Sequence, residues 1–276
     1  MSDLIVIIMA GGLGKRMNSA LPKVLHSING EPMLVKIIKE ALTLEPAQIM
    51  VVVGQYHQII KSTVEQFIPV TIDKTTGDYN IKYIYQEVSL GTGHAIQCCR
   101  PSLQFAGPNN RIQPSSRVLI LSGDVPLLKA STMQQMVQEM GSTSNCPVRI
   151  MITSLDEPTG YGRIVIDYDT TKFQEIVEEK DCTYDQRAIK LVNCGIYAFS
   201  NYFLCKYLPH LKNDNSQKEY YLTDLIAIIR QNEGIDVEMV EISKNRQYEI
   251  MGVNTPQQLY ELAEISSFAS DLNLKV

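Results

Sequence analysis

The stretch LIVIIMAGGLGKRM, residues 4–17, decides the fold class. Its first half is a continuous apolar run, which is typical of a strand buried on both faces of a parallel sheet. The glycines after the run let backbone N–H groups approach an anion, and the adjacent Lys15 and Arg16 can hold phosphate oxygens. A buried strand that ends in such a loop indicates an anion site in an α/β protein. The alternative is a glycine turn with two solvated cations.

The loop matches neither of two familiar phosphate-binding fingerprints. A Walker A loop would need glycine at position 9 and Ser or Thr after Lys15, but the chain has Met9 and Arg16. A dinucleotide fingerprint that begins at Gly12 would need a glycine where the chain has Met17. The loop alone therefore does not identify the phosphate compound.

Composition excludes several other classes of protein. The 276 residues are 45% hydrophobic and carry a net charge of −5, which argues against a broad nucleic-acid surface. No apolar stretch approaches the ~20 residues that span a bilayer, and Asp3 stands where a signal peptide would be basic. The six cysteines form no CxxC pair, and the four histidines form no cluster, so neither zinc nor a disulfide framework is expected. We expect a cytoplasmic protein without nucleic-acid or membrane partners.

The order of patterns along the chain predicts the fold. Up to residue 155, buried strand-like runs alternate with helix-like segments, which indicates a mostly parallel sheet covered on both faces. The predicted architecture is a Rossmann-like three-layer αβα sandwich around a mostly parallel mixed sheet. After residue 155, strand-like segments with little helix between them predict a small antiparallel lobe. Residues 71–80 and 104–116 are predicted to be surface insertions.

A last helix is predicted to begin near NTPQQLYELAEI, residues 254–265. Thr255 is the expected N-cap, Pro256 suits the first turn, and Gln258 is the expected reciprocal partner in a capping box.

Eight ordered segments carry a resemblance to a known family. They are PKVLHSINGEPML (22–34), YQEVSLGTGHA (85–95), SGDVPLL (122–128), PTGYGRI (158–164), IVEEKD (176–181), VNCGIY (192–197), KEYYLTD (218–224) and GVNTP (252–256). Together with the glycine loop they resemble the uridyltransferase domain of bacterial-type N-acetylglucosamine-1-phosphate uridyltransferases, a branch of the sugar-phosphate nucleotidylyltransferases. The resemblance extends from about residue 4 to 265. It implies that UTP and N-acetylglucosamine 1-phosphate are joined, with Mg²⁺, to UDP-N-acetylglucosamine and pyrophosphate.

The resemblance also implies a role for individual residues. Arg16 and Lys23 are the implied catalytic cations, and Asp124 and Asn254 are the implied metal ligands. The implied nucleotide-binding residues are Met9, Ala10, Gly11, Gly12, Gly14, Lys15, Gln86, Gly91, Thr92, Ser122 and Gly123. The implied sugar-binding residues are Gly162, Glu178 and Asn193, and Tyr220, Tyr221, Thr223 and Asp224 are expected to shape that pocket.

Elementary chemistry agrees with several of these roles. The Gln86 amide offers a donor and an acceptor, which suits the imide edge of uracil. Asp124 ends the strand-like run RVLILSGD, and ligands of open parallel sheets gather at the carboxyl ends of strands. One carboxylate and one amide oxygen match the preference of Mg²⁺ for few protein ligands, all oxygen. For Asp124 a turn residue before Pro126 is the alternative, and for Asn254 a helix cap.

The implied domain covers residues 1–270. Residues 1–155 form the nucleotide-binding half, 156–254 the sugar-binding half with the second metal ligand, and 255–270 the C-terminal helix. The hexapeptide repeats of a β-helix acetyltransferase domain are not found in this sequence, so no such activity is expected. We expect a monomer or a small homo-oligomer that acts on small molecules.

Three departures from the family pattern leave alternatives open. Ser122 replaces an aromatic residue, Cys194 replaces a threonine, and AGG replaces AAG at the start of the loop. The same chemistry on glucose 1-phosphate with UTP or dTTP is one alternative. A regulatory protein that binds nucleotide sugars without turnover is another. A glycosyltransferase would more often carry an Asp-x-Asp motif, and DYD at 167–169 is predicted to lie in a turn.

Overall fold

The computed structural model describes residues 3–69, 80–104, 112–138, 140 and 146–271. Among these residues the strands are β1 (Leu4–Met9), β2 (Ser27–Ile28), β3 (Glu31–Pro32), β4 (Gln48–Val53), β5 (Ile81–Tyr85), β6 (Arg117–Ser122), β7 (Val148–Ser154), β8 (Arg163–Ile166), β9 (Phe173–Val177), β10 (Leu191–Ser200) and β11 (Glu238–Glu241). The α-helices are α1 (Met33–Leu42), α2 (His57–Phe67), α3 (Thr92–Leu103), α4 (Ala130–Val137), α5 (Tyr184–Arg187), α6 (Asn201–Tyr207), α7 (Leu222–Glu233) and α8 (Pro256–Asp271). Short 3-10 helices cover Lys15–Met17, Lys23–Leu25, Leu208–His210 and Lys244–Ile250.

The main sheet is mixed and mostly parallel, as predicted. Its strand order is β11-β7-β10-β6-β1-β4-β5. Strand β1 pairs in parallel with β4 and β6, and β5 pairs in parallel with β4. Along this order the exception is β10, which is antiparallel to both β6 and β7. The α/β architecture predicted from the sequence is confirmed.

The faces of β1 explain why its sequence is apolar without alternation. Leu4, Val6 and Ile8 belong to one hydrophobic core, which also contains residues of α1 and α4. Ile5 and Ile7 point to the other face and pack in a second core with residues of α3 and α7. Because both faces of β1 are covered, every residue from Leu4 to Ile8 is buried, and each such side chain contributes about 1.5–3 kcal/mol.

The antiparallel region after residue 155 is an extension of the main sheet. Strands β8 and β9 pair with each other, and β8 is joined to β10 at the pair Arg163 and Val192. Strand β9 also contacts α7. The region therefore lies beside the carboxyl ends of the parallel strands, where the candidate site forms.

One small antiparallel pair was not predicted. Strands β2 and β3 form a hairpin whose turn residues Asn29 and Gly30 have φ angles of 53° and 80°. Two positive φ angles are what a type I′ turn requires, and Asn-Gly is its favoured sequence. The signal was therefore present in SINGEP, residues 27–32.

Most residues of the two predicted insertions, 71–80 and 104–116, lie outside the described residues. The described helices include none that is long and apolar enough to cross a membrane. All six cysteines lie in the described part and are free thiols.

Candidate active site

A cleft opens at the carboxyl ends of β1, β5 and β6, and its volume is about 220 Å³. This is the edge at which ligands of open α/β sheets bind. Predicted nucleotide residues make up most of its lining. They are Met9, Ala10, Gly11, Gly12, Gln86, Gly91, Thr92 and Ser122. The predicted catalytic Lys23 and the predicted metal ligand Asp124 also line the cleft, together with Val24, Ser89, Ala95 and Glu219, which were not predicted.

The glycine loop brings Lys23 into this cleft. Gly14 has a φ of +58°, and a Cβ built on it would lie 2.5 Å from Cβ of Lys23. Only glycine combines this left-handed backbone with such a close approach. Arg16 is exposed beside the loop, and the side chain of Lys15 lies outside the described residues. Gly123 continues the contact between β1 and β6 by donating to the Met9 carbonyl at 2.9 Å.

Lys23 joins the two predicted metal ligands. Its Nζ donates to Oδ2 of Asp124 and, at 2.9 Å, to Oδ1 of Asn254. The side chains of Lys23 and Asp124 are only 13% and 15% exposed, so solvent screens their attraction weakly. Two oxygens separated by 130 positions in the sequence therefore converge on one cation. This position for Lys23 was not predicted, because the resemblance assigns it to phosphate.

The carboxylate of Asp124 is oriented by its neighbours. Oγ of Ser122 donates to Oδ1 of Asp124 at 2.6 Å, and N–H of Val253 donates to the Asp124 carbonyl at 2.9 Å. The second bond attaches the GVNTP segment to the end of β6. Ser122, which departs from the family pattern, therefore acts on the carboxylate through its hydroxyl group.

Asn254 is held in place by the start of α8. Thr255 Oγ1 accepts from N–H of Gln258 at 3.2 Å, so Thr255 caps the helix as predicted. Oε1 of Gln258 accepts from N–H of Asn254 at 2.8 Å, one residue earlier than the predicted capping box required. Because the threonine serves as the cap, the Asn254 side chain remains available to Lys23.

The predicted base-binding residues form one packed unit at the other end of the cleft. Gly91 has a φ of +105°, and a Cβ there would lie 2.6 Å from the Tyr220 carbonyl. Thr92 Oγ1 accepts from N–H of Leu222 at 3.1 Å, so this hydroxyl satisfies the first turn of α7. The segments LGTGH and KEYYLTD are therefore locked together around the cleft.

The predicted sugar-binding residues lie together near the join of β8, β9 and β10. N–H of Asn193 donates to the Gly162 carbonyl at 2.9 Å, and a Cβ on Gly162 would lie 3.5 Å from Oε2 of Glu178. The Asn193 side chain is engaged internally, because it donates to Tyr197 Oη at 2.7 Å and accepts from Gly195 at 3.1 Å.

Burial and neighbouring carboxylates perturb the acids of this region. Burial is the largest cause that raises the pKa of Glu178, although a hydrogen bond from Thr223 at 2.9 Å opposes the shift. Burial, followed by the charge of Asp181, raises the pKa of Asp224 to about 6. Perturbed carboxyl groups of this kind are typical of functional clefts.

We expect Asp224→Asn to stabilise the protein at pH 7.5. The folded pKa of about 6 lies above the ordinary 3.8, so the native state loses stability as pH rises from 3.8 to about 6. The asparagine variant avoids this loss. After a discount for partial exposure, its free energy of unfolding at pH 7.5 should rise by about 1 kcal/mol.

Urea denaturation at pH 7.5 and pH 4 measures this effect. The gain should be fully present at pH 7.5 and much smaller at pH 4, because there the native Asp224 is protonated and the unfolded side chain is near its ordinary pKa of 3.8. Asp214→Asn, at an exposed position, is the matched control and should change neither value. An equal gain for Asp224→Asn at both pH values would contradict the assignment.

The DYD motif at 167–169 lies in a turn, as predicted. Oδ1 of Asp167 accepts from the backbone of Asp169 at 3.1 Å and of Thr170 at 2.8 Å. The carboxylate therefore stabilises its own turn at the end of β8. The described residues contain no group of three or more His, Cys, Asp or Glu placed to hold a metal.

The fold and the glycine loop define an α/β protein with a candidate anion site at the carboxyl ends of its parallel strands, and a comparison with protein families identifies the family. The family model described as "Nucleotidyl transferase" matches residues 5–246, so the chain belongs to the nucleotidyl transferase family. Enzymes of this family generally use a divalent metal ion. The chain is 40% identical to "Probable UDP-N-acetylglucosamine pyrophosphorylase" of Acanthamoeba polyphaga mimivirus, over 95% of this chain and 96% of that protein.

Bacterial relatives are longer. The chain is 38% identical to "Bifunctional protein GlmU" of Paraburkholderia phymatum and of Chromobacterium violaceum, over 94% and 96% of this chain. It covers 51% and 52% of those two proteins, about half their length. A crystal structure described as a glucose-1-phosphate thymidylyltransferase from Bacillus anthracis, in complex with sucrose, aligns with a TM-score of 0.70. The alignment covers 95% of each chain at 19% sequence identity, so this similarity is evidence for the fold alone.

Proposed function

We propose that this chain transfers a uridylyl group from UTP to N-acetylglucosamine 1-phosphate and releases pyrophosphate. A phosphate oxygen of the sugar phosphate forms a bond to the α-phosphorus of UTP, and the bond between that phosphorus and pyrophosphate breaks. The attacking phosphate is already ionised near pH 7, so no general base is required. The product is UDP-N-acetylglucosamine.

The single observation that carries the proposal is the convergence of Lys23, Asp124 and Asn254 at the carboxyl end of β6. A nucleotide-binding protein without turnover does not need a carboxylate, an amide oxygen and an ammonium group at one point beside a glycine loop. Phosphoryl transfer needs this combination, because fixed cations and N–H donors stabilise the charge on the phosphoryl oxygens.

The donor set fits Mg²⁺. Asp124 and Asn254 offer a carboxylate oxygen and an amide oxygen, and both already lie within hydrogen-bond distance of one cation, Lys23 Nζ. We propose that these two residues hold the ion, which when bound neutralises charge on the phosphates. Lys23, Arg16 and the loop N–H groups then orient the phosphates of UTP.

The identity of the sugar substrate is the part of the proposal for which an alternative exists. The 40% identical viral relative is described as a UDP-N-acetylglucosamine pyrophosphorylase, which favours N-acetylglucosamine 1-phosphate. Glucose 1-phosphate with UTP or dTTP is the alternative. We place the sugar near Gly162, Glu178 and Asn193, where the raised pKa of Glu178 marks a shielded polar group.

A substrate panel tests the proposal. Pyrophosphate release is measured for UTP, dTTP and CTP, each with N-acetylglucosamine 1-phosphate or glucose 1-phosphate, with and without Mg²⁺. We expect the fastest release from UTP with N-acetylglucosamine 1-phosphate and none without metal. Faster release with glucose 1-phosphate would support the alternative, and no release from any pair would overturn a catalytic role.

We further propose that the protein acts in the cytoplasm as a monomer or small homo-oligomer. The six free thiols fit a reducing compartment. Size-exclusion chromatography with light scattering would determine the oligomeric state.

A further inference from the structure

The side-chain amide of Gln86 is fixed by two neighbours. Gln86 follows β5 and is only 5% exposed. Its Nε2 lies 3.2 Å from the Gly91 carbonyl and 3.0 Å from Nδ1 of His94. A carboxamide nitrogen has two N–H donors and accepts nothing, so both partners must be acceptors. In this arrangement Nδ1 of His94 serves as an acceptor for the Gln86 amide.

His94 lies beside Tyr220. It lies in the first turn of α3, and its ring centroid is 6.3 Å from that of Tyr220. The backbone of Tyr220 donates to Leu90 at 2.8 Å and accepts from Gly93 at 2.7 Å. The histidine ring thus lies beside the same segment that lines the cleft.

With Nε2 of Gln86 occupied, the oxygen Oε1 faces Gly11. A Cβ on Gly11 would lie 3.1 Å from this oxygen, so Oε1 points towards the glycine loop. Gly11, Gln86 and Gly91 line the same cleft. The site therefore presents a hydrogen-bond acceptor, and the amide cannot rotate by 180° without placing Oε1 against the lone pairs of His94 and Gly91.

We propose that His94 is a positioning residue that selects the nucleobase, an inference that rests on the proposed function. By fixing Oε1 of Gln86 toward the cleft, His94 favours a pyrimidine with a proton on N3. Uracil and thymine carry that proton, whereas N3 of cytosine is an acceptor and would meet Oε1 lone pair to lone pair. Discrimination against CTP therefore depends on the acceptor at Nδ1 of His94 in addition to the Gly91 carbonyl.

Two variants of His94 distinguish the effect of its hydrogen-bond acceptor from the effect of its ring. His94→Asn keeps an acceptor, because its Oδ1 can occupy the place of Nδ1, but it loses the ring beside Tyr220. His94→Phe keeps the ring and loses the acceptor, so only the Gly91 carbonyl, 3.2 Å from Nε2, still opposes rotation of the Gln86 amide. We expect the ratio of kcat/KM for UTP to that for CTP to fall about tenfold in His94→Phe, mainly through KM for CTP. In His94→Asn the ratio should stay within about threefold of wild type.

The outcomes are distinct from those of the function test. An unchanged ratio of kcat/KM for UTP to that for CTP in His94→Phe overturns the proposal. A ratio that falls in His94→Asn but not in His94→Phe also overturns it, because that result would indicate that the packing of the ring matters and the acceptor does not. If the wild type releases no pyrophosphate from UTP, the proposed function fails. Calorimetric Kd values for UTP and CTP then decide the role of His94 on the same two variants. Thermal melts establish that each variant is folded.

Discussion

Asp124→Asn is expected to lower kcat for Mg²⁺-dependent pyrophosphate release by about 10²- to 10³-fold. The substitution removes the only carboxylate that contacts Lys23 among the described residues and leaves a neutral amide in its place. An amide oxygen still accepts from the hydroxyl group of Ser122, so the end of β6 should keep its conformation. The fall in kcat is therefore caused mainly by the loss of a negative charge at the metal site, which weakens stabilisation of the transition state, where the charge on the phosphoryl oxygens is greatest.

The matched control is Asp167→Asn. Asp167 is also an aspartate at the end of a strand, but its carboxylate accepts hydrogen bonds from its own turn, and asparagine stabilises such turns equally well. We expect turnover within about twofold of wild type, with a slightly lower melting temperature because Oδ2 of Asp167 also accepts from Gln174 at 3.2 Å. If Asp124→Asn retained wild-type kcat while remaining folded, the proposed metal site at β6 would be wrong.

Much of the fold could be predicted because burial on both faces leaves a strong pattern. The runs that became β1, β4 and β6 contain almost only apolar residues, and this is a direct consequence of helices on both sides of the sheet. The direction of β10 could not be obtained in the same way. LVNCGIYAFS is equally apolar, and its antiparallel pairing with β6 follows from the path of the chain after residue 155.

The site could be predicted in outline for a different reason. Asp124 and Asn254 were assigned by resemblance, and the structure brings them to the same lysine. Local sequence could not show how they are oriented, because the partners come from distant segments. Val253 reaches the carbonyl of Asp124, and Gln258 reaches back to Asn254, contacts that exist only after α8 has packed.

The role of His94 was missed because nothing in LGTGHA separates it from a residue on a helix face. Its signal is the proximity of Nδ1 to Gln86, eight positions earlier.

Lys23→Met is expected to separate metal affinity from catalysis. In the wild type the ammonium group of Lys23 occupies the oxygens of Asp124 and Asn254, so a divalent ion must displace it. Without that competitor, Mn²⁺ alone should bind about fivefold more tightly, the equivalent of about 1 kcal/mol for a largely buried ion pair. Turnover should nevertheless fall about 10²-fold, because a cation that stabilises phosphate charge is lost.

The electron paramagnetic resonance signal of free Mn²⁺ measures this affinity without nucleotide, and pyrophosphate release measures turnover. Lys39→Met is the matched control, since it removes an ion pair with Glu31 at 2.5 Å on the surface and should change neither quantity. Opposite changes in affinity and turnover would mean that Lys23 neutralises Asp124 in the free enzyme and moves to phosphate when UTP and metal arrive. Equal Mn²⁺ affinity in Lys23→Met and wild type would instead show that the lysine does not compete for the site, and its contact with Asp124 and Asn254 would then have no bearing on metal binding.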